Sequence, residues 1–176
     1  MRAVLDACVL FPTGLRGLLL DVAATGYFTP LWSERILKEW RLAAARVGDD
    51  AGVEIALLRA DWPDALINIA GVDPDTLSLP DPDDRHVLAT AIAGKAPEII
   101  TANLRDFPTR ILGRYGVSPR HPDTFLLEYA QQNRADMARF VDAQVQLASA
   151  SLGMSLDTRT FLKRAGLPRL GKFLAI

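Results

Sequence analysis

Asp6 is the residue whose surroundings point most directly to chemistry. It interrupts the run from Ala3 to Phe11, in which every other side chain is apolar. An ionised carboxylate in such surroundings is costly unless it is paired or bound to a metal. Asp6 follows a short predicted strand, and sites in parallel α/β sheets form at the carboxyl ends of strands. We therefore favour a functional role over that of a turn residue or helix cap.

A second acid, Asp84, lies on the apolar face at the start of a predicted helix. Its carboxylate is expected to point towards the sheet, beside a helix N-terminus that favours negative charge. An ordinary helix start is the open alternative, with Asp81 as N-cap and Pro82 as the first helical residue. Arg85 and His86 are expected to face solvent. The apolar face continues with Val87, Leu88 and Ala91.

Polar residues also follow the predicted strand at residues 98–101. Asn103 and Asp106 leave this strand end, which we expect at the same sheet edge as Asp6. The alternative for Asp106 is an N-cap, with Pro108 in the first turn of a short helix. Convergence of the three acids favours a shared site.

Carboxylates gathered in this way repel each other by about 4 kcal/mol per pair at an effective dielectric of about 20. Such a cluster must bind protons or hold a cation. An all-oxygen ligand set without a neighbouring His or Cys indicates Mg²⁺ or Mn²⁺ rather than Zn²⁺. These ions position phosphate, activate water and neutralise a leaving oxygen, so the chemistry implied is phosphodiester or phosphoryl hydrolysis.

Two further acids lie on the helix predicted at residues 33–47, which Ser33 is placed to cap. Glu34 falls among charged neighbours and is expected to be solvated. Glu39 lies at the edge of the apolar stripe, where a structural role is the more common one. The geometry alone leaves both roles for Glu39 open.

The elements that must position these residues alternate between strands and helices. A strand and helix open the chain, helices follow at 33–47 and 52–61, and residues 71–82 are predicted as loop. Another helix follows Asp84, a last strand is expected near residues 117–119, and the pattern is helical from Pro122. This order predicts an α/β fold with a mostly parallel sheet.

Composition fits a folded protein of the cytoplasm. The 176 residues are 49% apolar and 23% charged, with a single cysteine, Cys8, which is expected in the core and excludes an internal disulfide. We expect neither a signal peptide nor a membrane span. Net charge is −1, but residues 131–176 carry 7 Lys or Arg against 3 acids, whereas residues 1–130 carry 13 against 18.

Taken in order, four segments resemble the PIN-domain family, and in particular its VapC-like toxins. The first runs from Val4 to Leu10, and the second from Ser33 to Glu39. The third is Leu79-Pro80-Asp81-Pro82-Asp83-Asp84-Arg85-His86-Val87-Leu88-Ala89-Thr90-Ala91, and the fourth is Ile99-Ile100-Thr101-Ala102-Asn103-Leu104-Arg105-Asp106-Phe107-Pro108. The resemblance covers residues 2–125. It implies a three-layer α/β/α fold with a PIN domain at 1–129 and a helical C-terminal extension at 130–176.

The resemblance also implies a site and an activity. Its four acids fall on Asp6, Glu39, Asp84 and Asp106, and its supporting positions on Thr101, Asn103 and Asp81. The activity would be that of a Mg²⁺- or Mn²⁺-dependent endoribonuclease, the toxin of a type II toxin–antitoxin pair. An antitoxin and a second copy of the chain would be its protein partners. Cys8 departs from the family pattern, which often has Ser or Asn at that position.

Several alternatives remain open at this point. The chain could be a catalytically silent PIN-fold binding or regulatory module, or a DNA nuclease using the same site. A phosphatase-like enzyme with Asp6 as nucleophile usually has a second Asp two positions later, where this chain has Cys8. The basic C-terminal helices could contact RNA or an antitoxin, or complete the core. The apolar tail at residues 173–176 could close a dimer or dock on its own core.

Overall fold

The computed structural model describes residues 1–174, which pack as two compact units. The first unit comprises Met1–Phe11 and Phe28–Arg120, and the second comprises Pro12–Tyr27 together with the residues from His121 onward. The expected boundary between residues 129 and 130 separates a family core from an extension and stays a prediction. Residues 175 and 176 of the apolar tail lie outside the described residues.

A four-stranded parallel sheet organises the first unit. Its strands are β1 (Arg2–Leu5), β2 (Thr29–Leu31), β3 (Glu98–Ile100) and β4 (Ser118–Arg120), in the spatial order β2-β1-β3-β4. The buried apolar residues of β1 and β3 are typical of a parallel sheet covered on both faces. The expected α/β class with a parallel sheet is confirmed.

Strand β2 was not expected from the sequence. It is only three residues long and contains Pro30, which has no N–H to donate. The strand lies at the edge of the sheet, where a proline is tolerated. Just beyond it, Trp32 forms a bridge with Leu66.

The helices of the first unit lie within a few residues of their predicted positions, except for a short helix directly after Asp6, which was not predicted. They are α1 (Ala7–Leu10), α3 (Glu34–Arg46), α4 (Gly52–Asp61), α5 (Arg85–Ala93) and α6 (Thr109–Leu112). The expected loop at 71–82 contains a 3₁₀ turn at Pro74–Thr76, and another at Pro82–Asp84 leads into α5. Ser33 precedes α3 but makes no side-chain cap.

The second unit is helical. Its helices are α2 (Thr13–Ala24), α7 (Pro122–Gln132), α8 (Arg134–Leu152), α9 (Thr158–Arg164) and α10 (Pro168–Leu174). Helix α2 packs against α7 and α8, and α10 packs against α7 and α9. No helix within residues 1–174 has the length and apolar character needed to cross a bilayer.

Two expectations about single residues are wrong. His86 is 1% exposed rather than solvated, because α5 packs against β1, β3 and α3 and so is buried on more than one face. Cys8 is exposed rather than a core residue, because the short α1 buries only Val9 and Leu10.

Candidate functional site

The order of the strands defines where a site can form. Strand β1 lies between β2 and β3. The chain therefore runs from β1 to β2 on one side of it and later adds β3 on the other side. The crevice at the carboxyl ends of β1 and β3 is the switch point, where ligands bind in sheets of this kind. Asp6 and Thr101 are the first residues beyond these two strand ends.

Asp6 is 6% exposed, and side chains rather than helix α1 hold its carboxylate. Its backbone N–H donates to the carbonyl of Ile100 at 3.1 Å. Its Oδ2 accepts from the Thr101 hydroxyl at 2.7 Å and lies 3.1 Å from Sγ of Cys8. The carboxylate makes no capping hydrogen bond to α1, so the helix-cap alternative is not how the side chain is used.

Cys8 contacts the site through its sulfur, although the residue as a whole is exposed. The sulfur also lies 3.4 Å from the Thr101 hydroxyl and 3.4 Å from the amide nitrogen of Ala102. Desolvation of the sulfur, followed by the charge of Asp6, raises the pKa of the thiol to about 12. Cys8 is therefore a neutral donor to Asp6.

Just beyond β3, two hydrogen bonds connect Thr101, Asn103 and Asp106. The buried Thr101 hydroxyl accepts from the backbone N–H of Asn103 at 3.0 Å. The Asn103 side-chain amide donates to Oδ2 of Asp106 at 2.7 Å. Helix α6 begins only at Thr109, with Pro108 in the capping position, so Asp106 is not its N-cap. The expected position of Asn103 and Asp106 at the sheet edge of Asp6 follows from these contacts.

Asp81 and Asp84 enter the site from the 3₁₀ turn before α5. Asp81 caps this turn by accepting from the backbone N–H of Asp83 at 2.9 Å. Asp84 makes no capping bond, and its Oδ2 is buried without a hydrogen-bond partner among the described residues. One carboxylate oxygen from each of Asp81, Asp84 and Asp106 lies within 4.8 Å of the others.

The pKa of Asp84 shows that several acids lie close to it. Its pKa is raised from 3.8 to about 7, first by desolvation and then by the negative charges of four other carboxylates. The pKa of a carboxylate rises in this way when like charges lie close to it without a compensating cation. The four charges belong to Asp6, Asp81, Asp106 and Glu39.

Glu39, on α3, is outside the group of three acids but lies close enough to Asp84 for its charge to contribute to the raised pKa. Its Oε1 lies 2.7 Å from Nε2 of His86 and 3.6 Å from Nε of Arg35. Glu34 faces away and forms a two-point ion pair with Arg59, at 2.7 and 2.6 Å, which lowers its pKa. The expectation that Glu34 is solvated is confirmed, since its side chain is 65% exposed.

The donor set suits a hard divalent cation. The cluster of Asp81, Asp84 and Asp106 supplies carboxylate oxygens alone, as Mg²⁺ and Mn²⁺ prefer. The buried, unpartnered oxygen of Asp84 is the atom that a cation would satisfy. The residues present therefore fit the expected metal.

Sequence reasoning missed the place of His86 in this site. Its helix is buried from His86 through Ala91, so the single apolar stripe used for the prediction was too narrow. The uninterrupted run of apolar and small residues after His86 is the signal that would have indicated a helix buried on several faces.

The PIN domain family matches residues 2–105 of this chain. The match covers more than half of the chain, and the chain belongs to the PIN-domain family. A protein of Mycobacterium tuberculosis (strain ATCC 25618 / H37Rv), named "Putative ribonuclease VapC50", is 41% identical over 66 residues. That segment spans 35% of this chain and 39% of the mycobacterial protein. No solved structure gives a significant match.

Proposed function

We propose that this chain is a Mg²⁺- or Mn²⁺-dependent endoribonuclease. Asp6, Asp84 and Asp106 would hold the metal, and Glu39 would hold a second ion or orient a water. The observation that carries the proposal is the buried Oδ2 of Asp84, which lies without a partner in the field of four other carboxylates. A divalent cation satisfies both the oxygen and the accumulated charge.

The chain's own residues would prepare the ligands for this task. Thr101 holds Asp6 in one orientation, and Asn103 does the same for Asp106. Such outer partners fix ligand geometry and commonly change activity 10- to 100-fold, roughly, when they are removed. Asp81 adds a further acid to the oxygen cluster. When bound, the metal would stabilise negative charge on the phosphate and on the leaving 3′ oxygen.

RNA is the substrate that the comparisons favour. The chain is a PIN-domain protein, and its mycobacterial relative carries a ribonuclease name. The test is to incubate the purified protein with single-stranded RNA and Mg²⁺ or Mn²⁺, beside an EDTA control. DNA of the same sequence is run in parallel, so that a DNA nuclease is recognised by its preference.

Two variants make this test specific. We expect Asp6→Asn to abolish cleavage while the protein remains folded, because the change removes a negative charge from a repelling cluster. Glu34→Gln is the matched control, since Glu34 lies on the surface of the same helix as Glu39. Cleavage retained in Asp6→Asn, or lost equally in Glu34→Gln, would overturn the assignment of the acids.

The proposal extends to the toxin role that the VapC resemblance implies. The chain would act in the cytoplasm, be neutralised by an antitoxin and form a homodimer. Exposed apolar side chains lie on α3 (Leu42), directly after it (Val47) and on α4 (Val53 and Leu57), and a protein partner would cover them. Light scattering tests the dimer, and growth arrest that is relieved by a co-expressed antitoxin tests the toxin role.

A further inference from the structure

The positive charge of the C-terminal region is concentrated in its last two helices. Residues 131–156 carry two Lys or Arg and two acids, whereas residues 157–174 carry five Lys or Arg and one acid. The single acid, Asp157, accepts a hydrogen bond from the Thr160 N–H and so caps α9. The whole positive excess of the region therefore lies on α9 and α10.

A cleft of about 610 Å³ lies between these helices, and three of the five cations line it. We call it the basic cleft. Its other lining residues are apolar or small, and none of its lining residues is acidic. The cations are Arg159, Lys163 and Lys172, and the remaining residues are Leu162, Leu167, Pro168 and Gly171.

The three cations of the basic cleft are exposed, and none has an acidic partner among residues 1–174. Arg159 and Lys163 are four positions apart on α9, where like charges share one helix face and repel. Other cations of this unit are used structurally: Arg139 pairs with Asp136 at 2.8 Å, and Arg169 donates to Thr124 at 3.1 Å. The cleft thus gathers charge that the fold itself leaves uncompensated.

The walls of the basic cleft are held by contacts that do not involve its cations. Asp123 accepts from the backbone N–H groups of Arg169 and Leu170, each at 2.9 Å, and so fixes the start of α10. At the other end of α10, Arg134 donates to the carbonyl of Leu174 at 3.2 Å. The helices that carry the cations are therefore held in place without them, and the cations stay available to a ligand.

We infer that the basic cleft binds phosphate groups of the RNA backbone, as a site separate from the carboxylate cluster. Converging cations with no acid among them match the charge of successive phosphates, and they read no base sequence. The inference rests on the proposed function, because that function makes RNA the ligand. It adds a binding site that increases affinity for RNA of any sequence.

Binding is measured by the fluorescence anisotropy of a labelled 20-nucleotide single-stranded RNA, with the full chain in EDTA at several salt concentrations. EDTA prevents metal-dependent cleavage, so binding is separated from catalysis. The variants are Lys163→Gln, Lys172→Gln and the double variant, with Lys163→Arg/Lys172→Arg as the charge-preserving pair. Arg139→Gln is the control in the same unit, since its side chain is 71% exposed and it lies outside the cleft.

We expect each glutamine substitution to reduce the slope of log affinity against log salt by about 0.7, the value for one phosphate contact on a single strand. The double variant should lose both contacts, and the arginine pair and Arg139→Gln should behave like the wild type. Equal binding by the wild type and the glutamine double variant, or no binding by the wild type, would overturn the inference. RNA binding that depends on the cleft, without cleavage in Mg²⁺ or Mn²⁺, would instead contradict the proposed function alone.

Discussion

Nε2 of His86 lies 2.7 Å from Oε1 of Glu39, and the imidazole is fully buried, with 0% of its side chain exposed. Among the described residues, neither ring nitrogen of His86 makes a hydrogen bond of standard geometry, so this close contact is not a well-formed hydrogen bond. The same carboxylate oxygen lies 3.6 Å from Nε of Arg35. His86 therefore limits where Glu39 can lie relative to the carboxylate cluster, and we regard it as a positioning residue.

His86→Ala should lower cleavage about tenfold, as removal of an outer partner commonly does. Loss of a buried ring also destabilises the fold, so activity alone does not identify the role. A double-mutant cycle with Glu39→Gln does, because two residues that act together give non-additive effects on cleavage. We expect His86→Ala to have little further effect in the Glu39→Gln background. Additive losses would show that His86 only supports the fold.

The pKa of Asp84 predicts how the stability of the metal-free protein depends on pH. This pKa is raised from 3.8 to about 7, so the folded state binds a proton more tightly than the unfolded chain. The ionised side chain is destabilising, and this cost is absent below about pH 4, grows as pH rises and is complete above about pH 7. Asp84→Asn should therefore raise the melting temperature in EDTA by a few degrees at pH 8 and much less at pH 5. An equal shift at both pH values would contradict the crowding of carboxylates around Asp84.

A divalent cation should reverse the same destabilisation. A ligand present at 100 times its Kd stabilises the folded state by about 2.7 kcal/mol. Mg²⁺ or Mn²⁺ should therefore raise the melting temperature of the wild type and of Glu34→Gln by several degrees, measured by calorimetry. In Asp84→Asn and Asp6→Asn the rise should be small, because a ligand is missing. A full rise in both variants would place the metal elsewhere.

Much of this site was predictable because it follows from strand ends. Asp6 and Thr101 each come directly after a buried parallel strand, and adjacent strands in register bring such residues together. The 2.7 Å hydrogen bond between them joins residues 95 positions apart, yet it needs only the position of each strand. The expected place of Asp84 at the start of a helix facing the sheet is likewise a local pattern.

The environments of His86 and Cys8 depend on how helices and strands pack against each other. The periodicity of apolar residues along one helix does not predict that packing. His86 is buried because α3 and the sheet both pack against α5, and the sequence of α5 alone showed one apolar stripe. Cys8 lies in an apolar run but on a four-residue helix that leaves it exposed. The ion pair between Glu34 and Arg59 joins α3 to α4, and this too required the tertiary structure.

Thr101→Val should separate the role of Thr101 in the site from its role in the core. The residue is 0% exposed, and valine has nearly the same shape without the hydroxyl that donates to Asp6. The variant loses the hydrogen bond to Asp6 and the one accepted from the Asn103 N–H, which should cost about 1–3 kcal/mol of stability, whereas cleavage should fall about tenfold or more because Asp6 is no longer oriented. Thr101→Ser, which keeps the hydroxyl, should restore most of the activity. The assignment would be wrong if serine and valine reduced cleavage equally.

In the second unit, Asp123 should contribute to stability through the start of α10. The residue is 3% exposed, and its two carboxylate oxygens accept from the backbone N–H groups of Arg169 and Leu170. Asp123→Ala leaves both donors without this partner and should lower the free energy of unfolding by roughly 2–4 kcal/mol, since each unsatisfied buried group costs about 1–3 kcal/mol. Asp123→Asn keeps one acceptor oxygen and should cost about half as much.

Urea denaturation measures both variants, and Asp136→Ala, on the exposed surface of α8, is the control. Because these two hydrogen bonds hold the start of α10, hydrogen exchange of the α10 amides should increase in Asp123→Ala, and unchanged exchange there would contradict this role.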